Sequence, residues 1–144
     1  MIRDKDLDAL GGGTNESDSF VGQVLYFFGF SYPVCFGTGP FIEREMWQAF
    51  KDHDVQVFGI EMWSGSESGI LNFSRITGTT FPLLLNGTAQ TAVNRFEVNI
   101  VGQIDALMVI DQGGVIRHIS TSQPEDVTRA ANVITGLLDS DAIL

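Results

Sequence analysis

Short apolar runs of strand length recur along the chain, separated by amphipathic stretches and glycine-rich turns. The aromatic and β-branched run Val24–Phe28 predicts a strand that is buried on both faces, and Val55–Ile60 predicts a second strand. Pro82 precedes a shorter run, Leu83–Leu85, which predicts a short strand. The two last runs predict a β-hairpin, because they flank typical turn residues: the runs are 107–110 and 115–119, and the turn is Asp111, Gln112, Gly113 and Gly114.

The first strand leads into a predicted loop from Gly29 to Pro40. A helix is then expected over residues 41–51, because proline suits the first turn of a helix. In that helix Trp47 and Phe50 share one side.

Residues 67–77 predict a second helix, capped by the serines of residues 64–68 and ended by Gly78. Its apolar residues are expected to pack against the core: Ile70, Leu71, Phe73 and Ile76. A short helix is expected over residues 90–98 and a final amphipathic helix over residues 124–138.

The predicted order is strand, helix, strand, helix, short strand, short helix, hairpin and helix. Parallel units followed by an antiparallel hairpin imply an α/β fold with a mixed central sheet and helices on both faces. Residues 1–19 are polar and contain three consecutive glycines, so they predict a flexible leader. Residues 20–144 are expected to form one domain, because a chain of 144 residues is too short for two sizeable cores.

The charge balance argues against two classes of partner. Eight basic and eighteen acidic side chains give a net charge of −10. Nucleic acids and anionic membranes both bind clustered Lys and Arg, so neither is expected as a partner. The sequence contains no run approaching the ~20 apolar residues of a membrane span. The first eight residues lack the apolar core of a signal peptide, so a cytoplasmic location is expected.

The chain has a single cysteine, Cys35. One cysteine excludes an intramolecular disulfide, a multi-cysteine zinc site and an iron–sulfur cluster within one chain. His53 and His118 lack metal-ligand spacing, and His118 is expected on the exposed side of the hairpin, so neither a metal nor a cofactor is predicted. Residues 65–69 match the short nucleophile-elbow pattern of hydrolases, but helix-capping serines explain them better in so short a chain.

Four segments in sequence order resemble the thioredoxin-like superfamily, and its redoxin branch more than thioredoxin itself. They are Phe20–Gly29, Tyr32-Pro33-Val34-Cys35, Thr80–Leu84 and Ala106–His118. The redoxin branch includes peroxiredoxin-type proteins (the alkyl hydroperoxide reductase and thiol-specific antioxidant group) and membrane-tethered thiol–disulfide oxidoreductases. The resemblance implies a three-layer thioredoxin-like sandwich with an active-site loop at Cys35.

The active-site pattern departs from that of the family at several places. Tyr32 stands where a dithiol enzyme carries its first cysteine, and Asp105 stands where these folds often carry a proline. In the peroxiredoxin pattern, Phe28 takes the place of the proline and Tyr32 that of the threonine, and the usual arginine near Asp105 is absent. The resemblance therefore implies a redoxin with a non-standard site.

A lone cysteine can still act as a nucleophile. Its thiolate would attack a peroxide or a disulfide, and an external thiol, or Cys35 of a second chain in a homodimer, would resolve the product. A helix that begins near Pro40 would favour the thiolate, whereas the acidity of the chain and Asp105 would oppose it. The leading hypothesis is therefore a monothiol redoxin with antioxidant or thiol oxidoreductase activity.

Supporting roles are assigned to residues near Cys35. Backbone N–H groups near Thr38 would stabilise the sulfur, and Tyr32 would either do the same or simply pack in the loop. Pro33 would line a substrate groove, and Trp63 would either line that groove or pack in the core. Asp105 is either a buried carboxyl beside the groove or, as burial statistics favour, a solvated residue at the start of a strand. The alternatives are a Cys35 that only fills space in the core, and a catalytically degenerate protein that binds a partner.

Overall fold

The computed structural model describes residues 20–29, 33–63, 65–85 and 105–143. The leader predicted at 1–19 and the short helix predicted at 90–98 lie outside these residues. The strands are β1 (Gly22–Phe28), β2 (Val55–Glu61), β3 (Leu83–Leu84), β4 (Ala106–Asp111) and β5 (Ile116–Ser120). The helices are α1 (Pro33–Ile42), its π-helical continuation (Glu43–Gln48), α2 (Glu67–Thr77) and α3 (Pro124–Ile143).

The five strands form one mixed sheet in the order β3-β2-β1-β4-β5. The central strand β1 runs parallel to β2 and antiparallel to β4, and the hairpin partners β4 and β5 are antiparallel. Every residue of β1 is buried, which confirms a strand covered on both faces. The predicted α/β class with a mixed central sheet is confirmed.

Alternate side chains of β1 enter two different apolar clusters, one on each face of the sheet. On one face lie Val24, Tyr26 and Phe28, and the three described helices all pack onto this cluster. The ring of Phe28 lies between the rings of Tyr26 and Phe73, with centroid distances of 5.2 and 4.7 Å. The ring of Phe73 also lies 5.2 Å from that of Phe36, so this aromatic layer extends to the first turns of α1.

The helix after β1 begins seven residues before Pro40, so the predicted loop over residues 33–40 is wrong. Pro33 occupies the first helical position, and Pro40 lies inside the helix. The two glycines of this stretch have low helix propensity, but packing overrides it. A Cβ atom on Gly39 would lie 2.9 Å from Cζ of Phe73, so glycine allows α1 to approach α2 closely.

Past Ile42 the helix widens into the π-helical segment Glu43–Gln48, where residues five apart share a face. There Nε2 of Gln48 donates to the carboxylate of Glu43 at 2.5 Å. The same carboxylate accepts bonds from the backbone N–H of Thr80, at 2.6 Å, and from its hydroxyl, at 2.7 Å. These bonds hold the helix to the segment that precedes β3 and lower the pKa of Glu43 against the opposing effect of its burial.

The bounds of α2 agree with the prediction. The hydroxyl of Ser66 caps it by accepting a bond from the N–H of Gly69 at 3.1 Å, and Gly78 ends it in the left-handed region at φ 73°. Only two of the four predicted core residues, Ile70 and Phe73, are buried. Leu71 and Ile76 are exposed, because the helix presents a narrow face to the core.

The predicted hairpin and last helix are both present, whereas His118 lies in a different environment from the exposed one predicted. A register irregularity between Val109 and Ile110 turns His118 toward the side of the sheet that carries α3, where it is half-buried. Its Nε2 lies 2.7 Å from the hydroxyl oxygen of Ser120. The expectation of an exposed histidine is therefore wrong. No helix in the described part of the chain is long and apolar enough to cross a membrane.

We expect Gly59→Ala to destabilise the fold by about 1–3 kcal/mol, because the added methyl group overpacks the core. Its Cβ would lie 2.5 Å from Leu83, 3.1 Å from Phe81 and 3.2 Å from Phe28. Gly136→Ala is the matched control, since its Cβ meets no atom within 4 Å and alanine favours the helix by about 1 kcal/mol. Urea unfolding of both variants measures this, and an unchanged stability of Gly59→Ala would contradict the packing described.

Acid is expected to destabilise the protein in part through His118. Burial, and then the charge of Arg129, lower the pKa of His118 against the opposing charge of Asp126. The folded state thus binds this proton less readily than the unfolded chain. The contribution of neutral His118 to the free energy of unfolding is therefore complete above the unfolded pKa of about 6.5, and it is lost as the pH falls below that value. Between pH 7 and pH 5, His118→Gln should lose less unfolding free energy than the wild type. His53→Gln, which removes an exposed histidine, is the matched control.

Candidate functional site

Cys35 lies in the first turn of α1, and its side chain belongs to the cluster beneath the helix. The residue is 0% exposed. Pro33 begins the helix two residues earlier, so the thiol lies closer to a helix N-terminus than the sequence suggested. Burial and helix position act in opposite directions on the thiolate, so the neighbouring polar groups decide its behaviour.

Two hydrogen-bond donors lower the pKa of the Cys35 thiol. They are the backbone N–H of Gly29, just past the end of β1, and the hydroxyl of Tyr26 within β1. The Tyr26 hydroxyl also lies 2.6 Å from Oγ1 of Thr38, one turn further along α1. Tyr26 and Thr38 are both buried, so this bond connects the strand to the helix that carries the thiol.

Two buried carboxyl groups flank the same region. Glu61, the last residue of β2, is 0% exposed and accepts bonds from the backbone N–H groups of Trp63, at 2.5 Å, and Gly65. Asp105, directly before β4, is 5% exposed and accepts a bond from the hydroxyl of Ser122. The favoured interpretation of Asp105 as a solvated residue is therefore wrong. Ser122 in the β5–α3 connection covers its carboxyl group and donates a hydrogen bond to it.

Burial raises the pKa of the Cys35 thiol, and the negative charges of Asp105 and Glu61 raise it further. The bonds from the Gly29 N–H and the Tyr26 hydroxyl lower it, but the net shift is upward. Burial also raises the pKa of Tyr26 and that of Glu61. The resting site thus holds a neutral thiol at neutral pH.

A groove of about 340 Å³ opens beside the first two turns of α1. Two hydroxyl-bearing side chains, Thr38 and Ser122, lie among otherwise apolar or small residues: Pro33, Val34, Gly37, Phe41 and Pro124. The groove therefore lies above the Tyr26–Thr38 bond and next to the hydroxyl that covers Asp105.

The predicted site residues fall in different places. Pro33 and Thr38 line the groove, whereas Asp105 lies behind Ser122. Trp63 follows β2, is 39% exposed and is not among the described residues that line the groove. Tyr32 lies outside the described residues. No group of three His, Cys, Asp or Glu side chains in the described ranges could hold a metal ion.

Three residues of the site were not foreseen: Tyr26, Glu61 and Ser122. Tyr26 has a signal in the sequence, since its hydroxyl is the only polar side-chain group in the run Val24–Phe28. Glu61 has a weaker one, because it directly follows a predicted strand at the end where α/β sheets bind ligands. Ser122 has none, because only the tertiary structure brings it to Asp105.

Comparison with solved structures identifies the architecture. A proposed protein disulfide isomerase from Bacteroides thetaiotaomicron superimposes with a TM-score of 0.72 and 25% identity, over 82% of this chain and 74% of its own. The fold is thioredoxin-like. A thioredoxin-family thiol:disulfide interchange protein from Chlorobium tepidum gives a TM-score of 0.69 at 16% identity, over 85% of this chain and 83% of its own. The thioredoxin domain of a thiol-disulfide oxidoreductase from Bacteroides vulgatus gives 0.67 at 13% identity, over 83% of each chain.

The thioredoxin-like fold confirms the resemblance that the sequence suggested. These three neighbours are named for thiol–disulfide chemistry: a protein disulfide isomerase, a thiol:disulfide interchange protein and a thiol-disulfide oxidoreductase. No protein-family model and no curated protein matches the sequence. Within this thioredoxin-like frame the chemistry depends on the environment of Cys35.

Tyr26→Phe should raise the pKa of the Cys35 thiol still further, because it removes a hydrogen bond that stabilises the thiolate while the sulfur stays buried. The chain has one cysteine, so a ¹³Cβ-cysteine label gives a single NMR signal whose pH titration reports the thiol directly. Thr38→Val is the matched control, because it removes the other partner of the same hydroxyl and leaves the bond to sulfur. A titration midpoint unchanged in Tyr26→Phe would contradict this role.

Proposed function

We propose that this protein is a monothiol redoxin, in which Cys35 reacts with a disulfide or a peroxide and an external thiol completes the cycle. The observation that carries the proposal is the position of the sulfur. It lies in the first turn of α1, where the Gly29 N–H and the Tyr26 hydroxyl both act to lower the pKa of the thiol. The names of the structural neighbours support the same class of chemistry.

With a disulfide, the Cys35 thiolate attacks one sulfur, a mixed disulfide forms and the other half leaves as a thiolate. An external thiol then attacks the mixed disulfide, regenerates Cys35 and carries away the oxidised pair. With hydrogen peroxide, Cys35 is oxidised to a sulfenic acid and one oxygen leaves as water. Two external thiols then reduce the sulfenic acid, giving a disulfide and a second water.

The geometry makes this reaction slow at neutral pH. The pKa of the thiol is raised from its ordinary value of 9.0, so below about 1% of it is ionised at pH 7. The sulfur is also 0% exposed, and a disulfide must approach it in line. A small peroxide meets less steric resistance than a protein disulfide. We expect turnover to increase with pH.

A second candidate is a catalytically degenerate thioredoxin-fold protein that binds a partner. The complete burial and raised pKa of Cys35 favour it, because reactive cysteines are usually accessible and have a lowered pKa. The absence of a second cysteine excludes a dithiol cycle within the chain. We propose a cytoplasmic location and an external thiol reductant for the first candidate; the second needs neither a reductant nor a substrate.

The two candidates separate in one experiment. We expect the folded protein, incubated with a small disulfide, to form a mixed disulfide at Cys35, detected by mass spectrometry, and to consume hydrogen peroxide when dithiothreitol is supplied. Cys35→Ser should abolish both. The urea-unfolded wild type, whose thiol is accessible, sets the reference rate for the adduct.

Protection of Cys35 in the folded protein at all pH values up to 10, together with peroxide consumption that is equal in Cys35→Ser and the wild type, would overturn the monothiol proposal. The binding candidate would then be favoured. Adduct formation that increases with pH in the folded protein would support the monothiol cycle.

A further inference from the structure

The two buried carboxyl groups lie in one row across the sheet, on the face that carries Cys35. The parallel register pairs Phe28 with Glu61, and the antiparallel register of Phe27 with Ala106 places Asp105 beside Phe28 on the other side. Neighbouring strands are about 4.8 Å apart, so the two acidic residues bracket Phe28 at a backbone separation of about 10 Å. Cys35 packs in the same cluster as Phe28.

Charges of the opposite sign are missing from this row in the described ranges. The polar groups that affect the pKa of the thiol are the Gly29 N–H, the Tyr26 hydroxyl from β1, Asp105 directly before β4, and Glu61 from β2. The four arginines of the described ranges form their contacts away from this row: Arg44 with Glu45, Arg75 with Asn72, Arg117 with Asp111 and Arg129 with Asp126. Lys51 is exposed near the start of β2, at the opposite end of the strand from Glu61.

We propose that Glu61 and Asp105 act together as an electrostatic hold on Cys35, which adds to the effect of burial in opposing ionisation of the sulfur, and that a positively charged partner group in the groove weakens this hold. The inference rests on the proposed function and specifies its substrate class as cationic disulfides or thiols. A positive charge near the two carboxylates offsets their repulsion of the thiolate, whereas an anionic reagent adds to it.

The groove connects this hold to the solvent. Ser122 lines the groove, is itself buried and donates its hydroxyl to Asp105, so this one side chain lies between the groove and the carboxylate. The net charge of −10 also raises the local concentration of cationic partners. The selectivity that we propose is local, however, and must exceed the effect of the net charge.

The first arm of the test measures the hold without requiring access to the sulfur. The ¹³Cβ-cysteine titration is recorded for the wild type, Asp105→Asn, Glu61→Gln and the double variant. The matched control is Asp52→Asn, which removes one exposed charge away from the site. At a pH below the midpoint we expect at least about threefold more thiolate in Asp105→Asn and Glu61→Gln, more in the double variant, and no change in Asp52→Asn.

Glu61→Gln leaves a backbone N–H short of an acceptor and is therefore the variant more at risk of unfolding. If it does not fold, Asp105→Asn decides alone. A midpoint in Asp105→Asn equal to that of the wild type and of Asp52→Asn would overturn the electrostatic hold.

The second arm measures selectivity with three small disulfides: cationic cystamine, neutral 2-hydroxyethyl disulfide and anionic dithiodiglycolate. We expect the ratio of cystamine to dithiodiglycolate rates at low salt to be at least about tenfold larger for the folded protein than for the urea-unfolded chain, which has the same net charge. The ratio should decrease in Asp105→Asn and in high salt, and stay unchanged in Asp52→Asn. A ratio equal to that of the unfolded chain would overturn cationic selectivity.

The two arms also separate this inference from the proposed function. If thiol ionisation shifts in the variants but no disulfide or peroxide reacts with any folded form, the monothiol function and its cationic substrate are overturned while the hold stands. If the wild type reacts with all three disulfides and the variants leave thiol ionisation unchanged, the function stands and the hold is overturned.

Discussion

The burial of β1 on both faces is the constraint on which the rest of this structure depends. The strand pairs with β2 on one side and β4 on the other, and its alternating side chains supply both apolar clusters. The same strand supplies the site: the Tyr26 hydroxyl lowers the pKa of the Cys35 thiol, Phe28 packs in the same cluster as Cys35, and Gly29 follows directly. Core and site therefore share residues, and the chemistry of the thiol has to operate inside a packed interior.

That location explains why the site is stable and why its thiol resists ionisation. Every buried side-chain nitrogen and oxygen atom in the described ranges has a hydrogen-bond partner. The buried carboxyl groups therefore add little of the free-energy cost that an unpaired buried polar group would bring. Ser122 satisfies Asp105, and the backbone after β2 satisfies Glu61. Those bonds keep two negative charges close to a desolvated sulfur, and both effects disfavour a thiolate. A helix N-terminus alone does not make this cysteine reactive.

The elements whose ends carry clear signals were predictable. Ser66 and Gly78 mark the ends of α2, and the turn at 111–114 marks the hairpin, because capping and turn preferences are local. The start of α1 was not predictable in the same way. Its glycines oppose a helix locally, yet Gly39 is what allows contact with Phe73 in α2, a contact between residues far apart in the sequence. At this position the packing of α1 against α2 outweighs the low helix propensity of glycine.

The sequence alone determined that no dithiol cycle can close within this chain, since it contains one cysteine, and that the cysteine follows the first core strand in a redoxin-like order. The tertiary structure decided the character of that cysteine. Desolvation depends on what packs over the sulfur, and the charges that act on it come from residues 26 and 70 positions away, brought together by strand pairing. Neither effect is a local property of the sequence, so only the folded chain reveals a buried thiol whose pKa is raised by burial and by two buried acids.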